Sequence, residues 1–132
     1  MKEDTIEICK NPDGSLNLII ELTAVFKERS GGITVAFPQI KVFGFSQNSR
    51  EEALIDAKEN ASIFFDVHIE DGTLIDALNE FGWKLDYEFK DLSKRSPYPS
   101  FEFQVNRKSN NSTTANISIP LAGNMSSGMA YA

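Results

Sequence analysis

The alternation that runs from Leu16 to Lys27 constrains this chain more than any other feature. Leu16, Leu18, Ile20, Leu22, Ala24 and Phe26 fall on one face of an extended strand, and Asn17, Glu21, Thr23 and Lys27 fall on the other. One face is therefore buried and one is wet, which demands a sheet with a cover on one side. Upstream, Thr5 to Lys10 is followed by Asn11-Pro12-Asp13-Gly14, a turn that folds the two segments into a hairpin. Downstream, Ser30-Gly31-Gly32 turns the chain into Ile33, Val35 and Phe37, and Pro38 closes that strand or marks a sheet edge. Val42-Phe43-Gly44-Phe45 predicts a further short strand.

The period then changes. Ser49-Arg50-Glu51-Glu52 is a capping box, in which the serine oxygen accepts from the first turn and Glu52 reaches back to the Ser49 amide. Ala53, Leu54, Ala57, Ala61, Phe64 and Phe65 recur at helical spacing, predicting an amphipathic helix that ends near Asp71-Gly72. Thr73 caps a second, short helix through Leu74, Ile75, Ala77, Leu78 and Phe81, ended by Gly82. Trp83, Leu85, Tyr87 and Phe89 alternate as a strand, as do Phe101, Phe103 and Val105 beyond a proline-marked loop over 93–100. Asn116 to Ile119 reads as a last strand before Pro120. The order gives an α+β fold, an antiparallel sheet with one long and one short helix on one face.

A chain of 132 residues with 41% hydrophobic residues makes one domain, 1–132, that folds without a disulfide or metal staple. From Asn110 onward, Ser, Thr, Asn, Gly and Met dominate, the composition of a loosely ordered tail. Nineteen acidic against 13 basic residues, a net charge of -6, argue against nucleic-acid binding by bulk charge and suit a basic partner or plain solubility. The single Cys9 and the polar start Met-Lys-Glu-Asp, with no apolar leader or membrane span, fit a cytoplasmic protein. One histidine, His68, rules out two-histidine metal sites within the chain and leaves any nucleophilic triad to depend on it alone. Its place near a helix end fits a surface role.

The stretch Thr23-Ala-Val-Phe-Lys-Glu-Arg-Ser-Gly-Gly-Ile-Thr-Val-Ala-Phe-Pro-Gln-Ile40, followed by Ser49-Arg-Glu-Glu-Ala-Leu-Ile-Asp-Ala-Lys-Glu-Asn60, resembles the amino-terminal domain of the HicB antitoxin family. Gly31-Gly32, Phe37-Pro38 and Glu51-Glu52-Ala53-Leu54 carry the likeness, and Phe81-Gly82-Trp83 resembles the Gly-Trp ending of some members. The resemblance covers Thr23 to Trp83. It implies a degenerate ribonuclease H-like core over 15–90, with an extra amino-terminal hairpin and a strand extension over 91–132. It also implies a non-catalytic function, covering a small basic mRNA-cleaving toxin of the HicA type. Many members continue into a DNA-binding helical module; here the chain stays β-patterned from Asp86 on, with Pro97, Pro99 and Pro120, so operator DNA binding is not expected.

Metal-dependent nucleases of this fold need clustered carboxylates. Glu21 falls on the outer strand face, Glu28 beside a turn and Glu52 in the capping box, so no catalytic or metal-binding residue is assigned and no cofactor is expected. Asp66, Glu70, Asp71 and Asp76 around His68 form an acidic stretch, either a solvated helix end or a dock for a basic partner. Phe43 and Phe45 are either core or an exposed contact patch. Phe43, Phe45, Glu51 and Glu52 are the expected partner-binding residues. Lys90, Lys94, Arg95, Arg107 and Lys108 beside aromatic strands leave RNA contact as an alternative. That alternative is a stand-alone module binding RNA, a peptide or itself; a homodimer through an edge strand is expected in either case.

Overall fold

The computed structural model describes residues 3–86, 100–104 and 112–121. Among them the chain forms strands β1 (Glu3–Lys10), β2 (Leu16–Arg29), β3 (Gly32–Phe37) and β4 (Val42–Ser46). Helices α1 (Arg50–Asp71) and α2 (Leu74–Glu80) follow, then β5 (Lys84–Asp86), β6 (Ser100–Gln104) and β7 (Ser112–Leu121). All seven strands join one sheet, every pairing is antiparallel, and the fold is α+β.

β2 organises the sheet because three strands pair with it. Val25 stands opposite both Ala36 of β3 and Ser112 of β7, so those two strands flank opposite edges. β7 also covers Leu16 to Glu21, the stretch that β1 pairs with, which places β1 and β3 one after the other along the same edge of β2. β4 extends the β3 side, and β6 and β5 extend the β1 side.

Between the last residue paired with β1, Glu21, and the first paired with β3, Val25, lies Thr23. A strand residue points its N–H and C=O to one edge. With no strand to meet them there, these groups need other partners. The Thr23 N–H donates to Asp4 Oδ2 at 2.8 Å and its hydroxyl to Asp4 Oδ1 at 2.8 Å, while its carbonyl accepts from Gln39 Nε2 at 2.9 Å. Gln39 Nε2 also donates to Asp4 Oδ2, and the Gln39 carbonyl accepts from Trp83 Nε1 at 3.0 Å. All four residues are buried. Side chains from β1, the loop after β3 and the segment after α2 thus close the break between two strands.

The even-numbered residues of β2 from Leu16 to Phe26 are all buried, as the alternation predicts. Val35 and Phe37 from β3, Ala115, Ile117, Ile119 and Leu121 from β7, and residues of both helices complete one core. α1 meets it through Ala53, Ala57, Ala61, Phe65 and Ile69. Those small side chains let the helix come close: a Cβ on Gly44 of β4 would lie 2.2 Å from the Ala57 nitrogen and 2.6 Å from the Ala53 oxygen.

α1 begins and ends where its caps predict. Ser49 accepts from the Glu52 N–H at 3.1 Å, and Gly72, with φ of 72°, closes the helix in the left-handed conformation. The reciprocal half of the capping box differs. The Ser49 N–H donates to Ser46 Oγ at 3.3 Å, and Glu52 Oε2 instead accepts from Ser46 Oγ at 2.9 Å and Asn48 Nδ2 at 3.0 Å. Thr73 makes no side-chain cap either, since its hydroxyl is bonded to His68 Nδ1 at 2.7 Å.

The carboxy-terminal strand is longer than its composition predicts. β7 lies along β2 from Ser112 to Leu121 and includes Pro120. Thr23 aims its backbone at the β1–β3 edge, so Asn17, of the same parity and opposite Pro120, does too, and the missing Pro120 N–H faces away from β2. The expected positions of Tyr87, Phe89, Lys90, Lys94, Arg95, Val105, Arg107, Lys108 and the tail over 122–132 lie outside the described residues.

Candidate functional site

β4 is a terminal strand of the sheet, yet its outer edge is not open. Phe43 and Phe45 alternate with Val42, Gly44 and Ser46, so their side chains leave the core face and stand with Ala36 and Thr34 on the outer face. The Phe43 carbonyl accepts from Asn60 Nδ2 at 2.7 Å, and the Phe45 N–H donates to Asp56 Oδ2 at 2.9 Å. Asp56 and Asn60 are one turn apart on α1. The helix therefore occupies the backbone groups that a further strand would need.

The sequence leaves Phe43 and Phe45 either in the core or on a surface; the structure places both on the surface, 59% and 49% exposed. Around the helix axis, Ile63 falls within about 20° of Asp56, and Val67 within about 20° of Asn60. They are 59% and 48% exposed. Ile63 and Val67 thus share the azimuth of Asp56 and Asn60 about 10 Å farther along α1, while Phe43 and Phe45 stand on the outer face of β4. Ile55, 57% exposed, stands on the far side of the same outward surface. These aliphatic residues were missed by a reading that followed only the Ala53–Phe65 stripe. Their signal is present, since at 100° per residue Ile63 and Val67 fall about 160° and 120° around the helix from Ala61, the middle of the buried stripe.

The remaining exposed positions of α1 are Glu51, Glu52, Glu59, Asp66, Glu70 and Asp71. Every exposed residue of this helix is thus acidic or apolar. Its two cations are half-buried, with Arg50 paired to Glu28 at 2.8 Å and stacked over Phe26 at 5.0 Å. The cations bordering this surface belong to the strand side. Lys27 shares a row with Thr34 and Phe45, and Lys41, with φ of 56°, lies over the Phe81 ring.

Of the four expected contact residues, Glu52 is tied to β4 next to Phe45 through its bond to Ser46. Asn48 and Ser46, donating to it, hold its carboxyl below the ordinary range. Glu51 is exposed a third of a turn away, on another side of the helix. Among the described residues no three His, Cys, Asp or Glu side chains converge as a metal-binding group. His68 is held by Thr73 and lies against Phe64, 4.5 Å between ring centres. Cys9 is half-buried, its thiol pushed up by burial and by the charge of Glu7.

Among the described residues no helix is long and apolar enough to cross a membrane. Comparison of the chain with protein-family models, curated proteins and solved structures gives no match to any of them. The functional reading therefore rests on the chain's own residues.

Proposed function

We propose that this protein is a non-catalytic binding module of the HicB antitoxin type, with a degenerate ribonuclease H-like core, that covers a small basic mRNA-cleaving toxin of the HicA type in the cytoplasm. The observation that carries this reading is the pair Phe43 and Phe45. Two phenylalanines half-exposed on one strand, beside a helix whose exposed charged residues are all acidic, are suited to an interface for a basic protein. Occlusion needs contact area and complementary charge rather than reacting groups. The expected homodimer, if it forms by strand pairing, uses an edge other than that of β4 at Phe43 and Phe45.

The test is rescue. A small basic reading frame is expected adjacent to this gene; that frame is expressed alone and with this protein, growth and cleavage of total mRNA are followed, and its absence from the locus also defeats the reading. Growth arrest relieved by the wild-type chain, and not by Phe43→Asp/Phe45→Asp made at equal level, supports the reading. A neighbour that is harmless, or that is neutralised equally by the double variant, defeats it and favours the stand-alone module.

A further inference from the structure

We infer that the outward face of α1 is a docking face for a basic amphipathic helix. This names the structural element the partner presents, and it rests on the partner-binding reading only in taking the occupant to be a protein.

Three observations fix the occupant. The first is exposure: Ile63 and Val67 are each about half exposed one turn apart, and Ile55 stands exposed on the other side of Glu59. None of them is needed to hold α1 to the sheet, since the Ala53–Ile69 stripe does that. The second is the closed edge. With the Phe45 N–H bonded to Asp56 and the Phe43 carbonyl to Asn60, no strand can add there, so a partner must be received through side chains. An α-helix presents side chains at a spacing that matches the one-turn interval between Ile63 and Val67.

The third observation is charge. The exposed residues of α1 comprise six acids and three aliphatics with no cation. A second copy laid on this face would oppose carboxylates with carboxylates, which is costly once water is displaced. A helix with lysine or arginine beside a leucine stripe meets Ile63 and Val67 with its apolar side and Glu59, Asp66 and Glu70 with its cations. α1 spans about 33 Å, room for a partner helix of several turns.

The experiment uses the full chain and three labelled designed peptides of about 18 residues, a length of five helical turns. One is an amphipathic leucine–lysine helix, one the same pattern with glutamate for lysine, and one an alternating valine–lysine strand. Fluorescence anisotropy at low and high salt reads binding. The expected result is saturable binding of the leucine–lysine helix alone, weakened by salt and weakened about tenfold by Ile63→Ser/Val67→Ser. Glu59→Gln/Asp66→Asn/Glu70→Gln should flatten the salt dependence. Ile19→Ser, on the outer face of β2, should bind as wild type; circular dichroism checks that each variant is folded.

Absence of saturable binding overturns the inference. So does equal binding of the glutamate helix, competition by the strand peptide, or equal weakening by Ile19→Ser. A concentration-dependent dimer that Ile63→Ser/Val67→Ser abolishes overturns it in favour of a second copy. Peptide binding without toxin rescue leaves this face standing and removes the antitoxin reading; rescue without peptide binding does the reverse.

Discussion

Two regions of this molecule run against the usual sorting of polar and apolar groups. At the break between β1 and β3, a carboxyl, a hydroxyl and an amide are buried; on the outer face of β4 and the outward side of α1, two phenylalanines and two aliphatics stand in water. The first is explained within the fold, save for Gln39 Oε1, which is buried with no hydrogen-bond partner among the described residues. Two strands share one edge of β2, the chain between their pairings has backbone groups to satisfy, and Asp4 and Gln39 satisfy them. The second has no such account, because the backbone at β4 is already satisfied by Asp56 and Asn60 and the core is complete without the exposed rings. A buried polar group that completes a hydrogen-bond pattern marks architecture. An exposed apolar group with no structural task is where a test for a contact surface begins.

Removing Asp4 should break this contrast most forcefully. Asp4→Ala leaves the Thr23 N–H and hydroxyl and a Gln39 N–H without the acceptor the fold gives them, for a loss of about 3 kcal/mol or more in denaturant unfolding. Asp4→Asn keeps the size and one carbonyl acceptor and should lose less. A loss within experimental error for Asp4→Ala would show that the junction is not what joins the two halves of the sheet. Gly44→Ala comes next. Its Cβ would fall 2.2 Å from the Ala57 nitrogen and 2.6 Å from the Ala53 oxygen, both backbone, so α1 has to move off β4. About 1–3 kcal/mol is expected, read by the same unfolding curves.

The contrast also separates what is legible in the sequence from what is not. β2 and the bounds of α1 could be read because their signals are local: strict alternation in one, Ser49 and Gly72 in the other. The Asp4–Thr23–Gln39 junction could not, since it joins residues 19 and 16 positions apart and depends on which edge of β2 each strand takes. The turns over 11–14 and 30–32 predict hairpins at both ends of β2, but nothing local says that they fold to the same side. At the site, Phe43 and Phe45 stood out by type, while their exposure depended on the parity of β4 against a helix not yet placed. Pro120 misled, because a proline ends a strand only where its N–H is needed, and here it faces the other edge.

Smaller effects sharpen the comparison from the other side. Phe43→Ser and Ile63→Ser remove large apolar groups and should each change stability by no more than about 0.5 kcal/mol, far below Asp4→Ala, because their side chains are already about half in water. A large loss for either would make that residue part of the core's support. The smallest effect concerns Glu52, whose carboxyl titrates below its ordinary 4.5 because Asn48 and Ser46 donate to it. A folded value below the unfolded one means the ionised form is favoured in the native state. That contribution is fully present above the unfolded value and fades as pH falls through the folded one. Glu52→Gln should therefore lie below wild type in stability at neutral pH, with the gap closing on acidification from pH 4.5 downward. Parallel unfolding midpoints for the two proteins over that range would show that the bonds from Ser46 and Asn48 do not hold the charge.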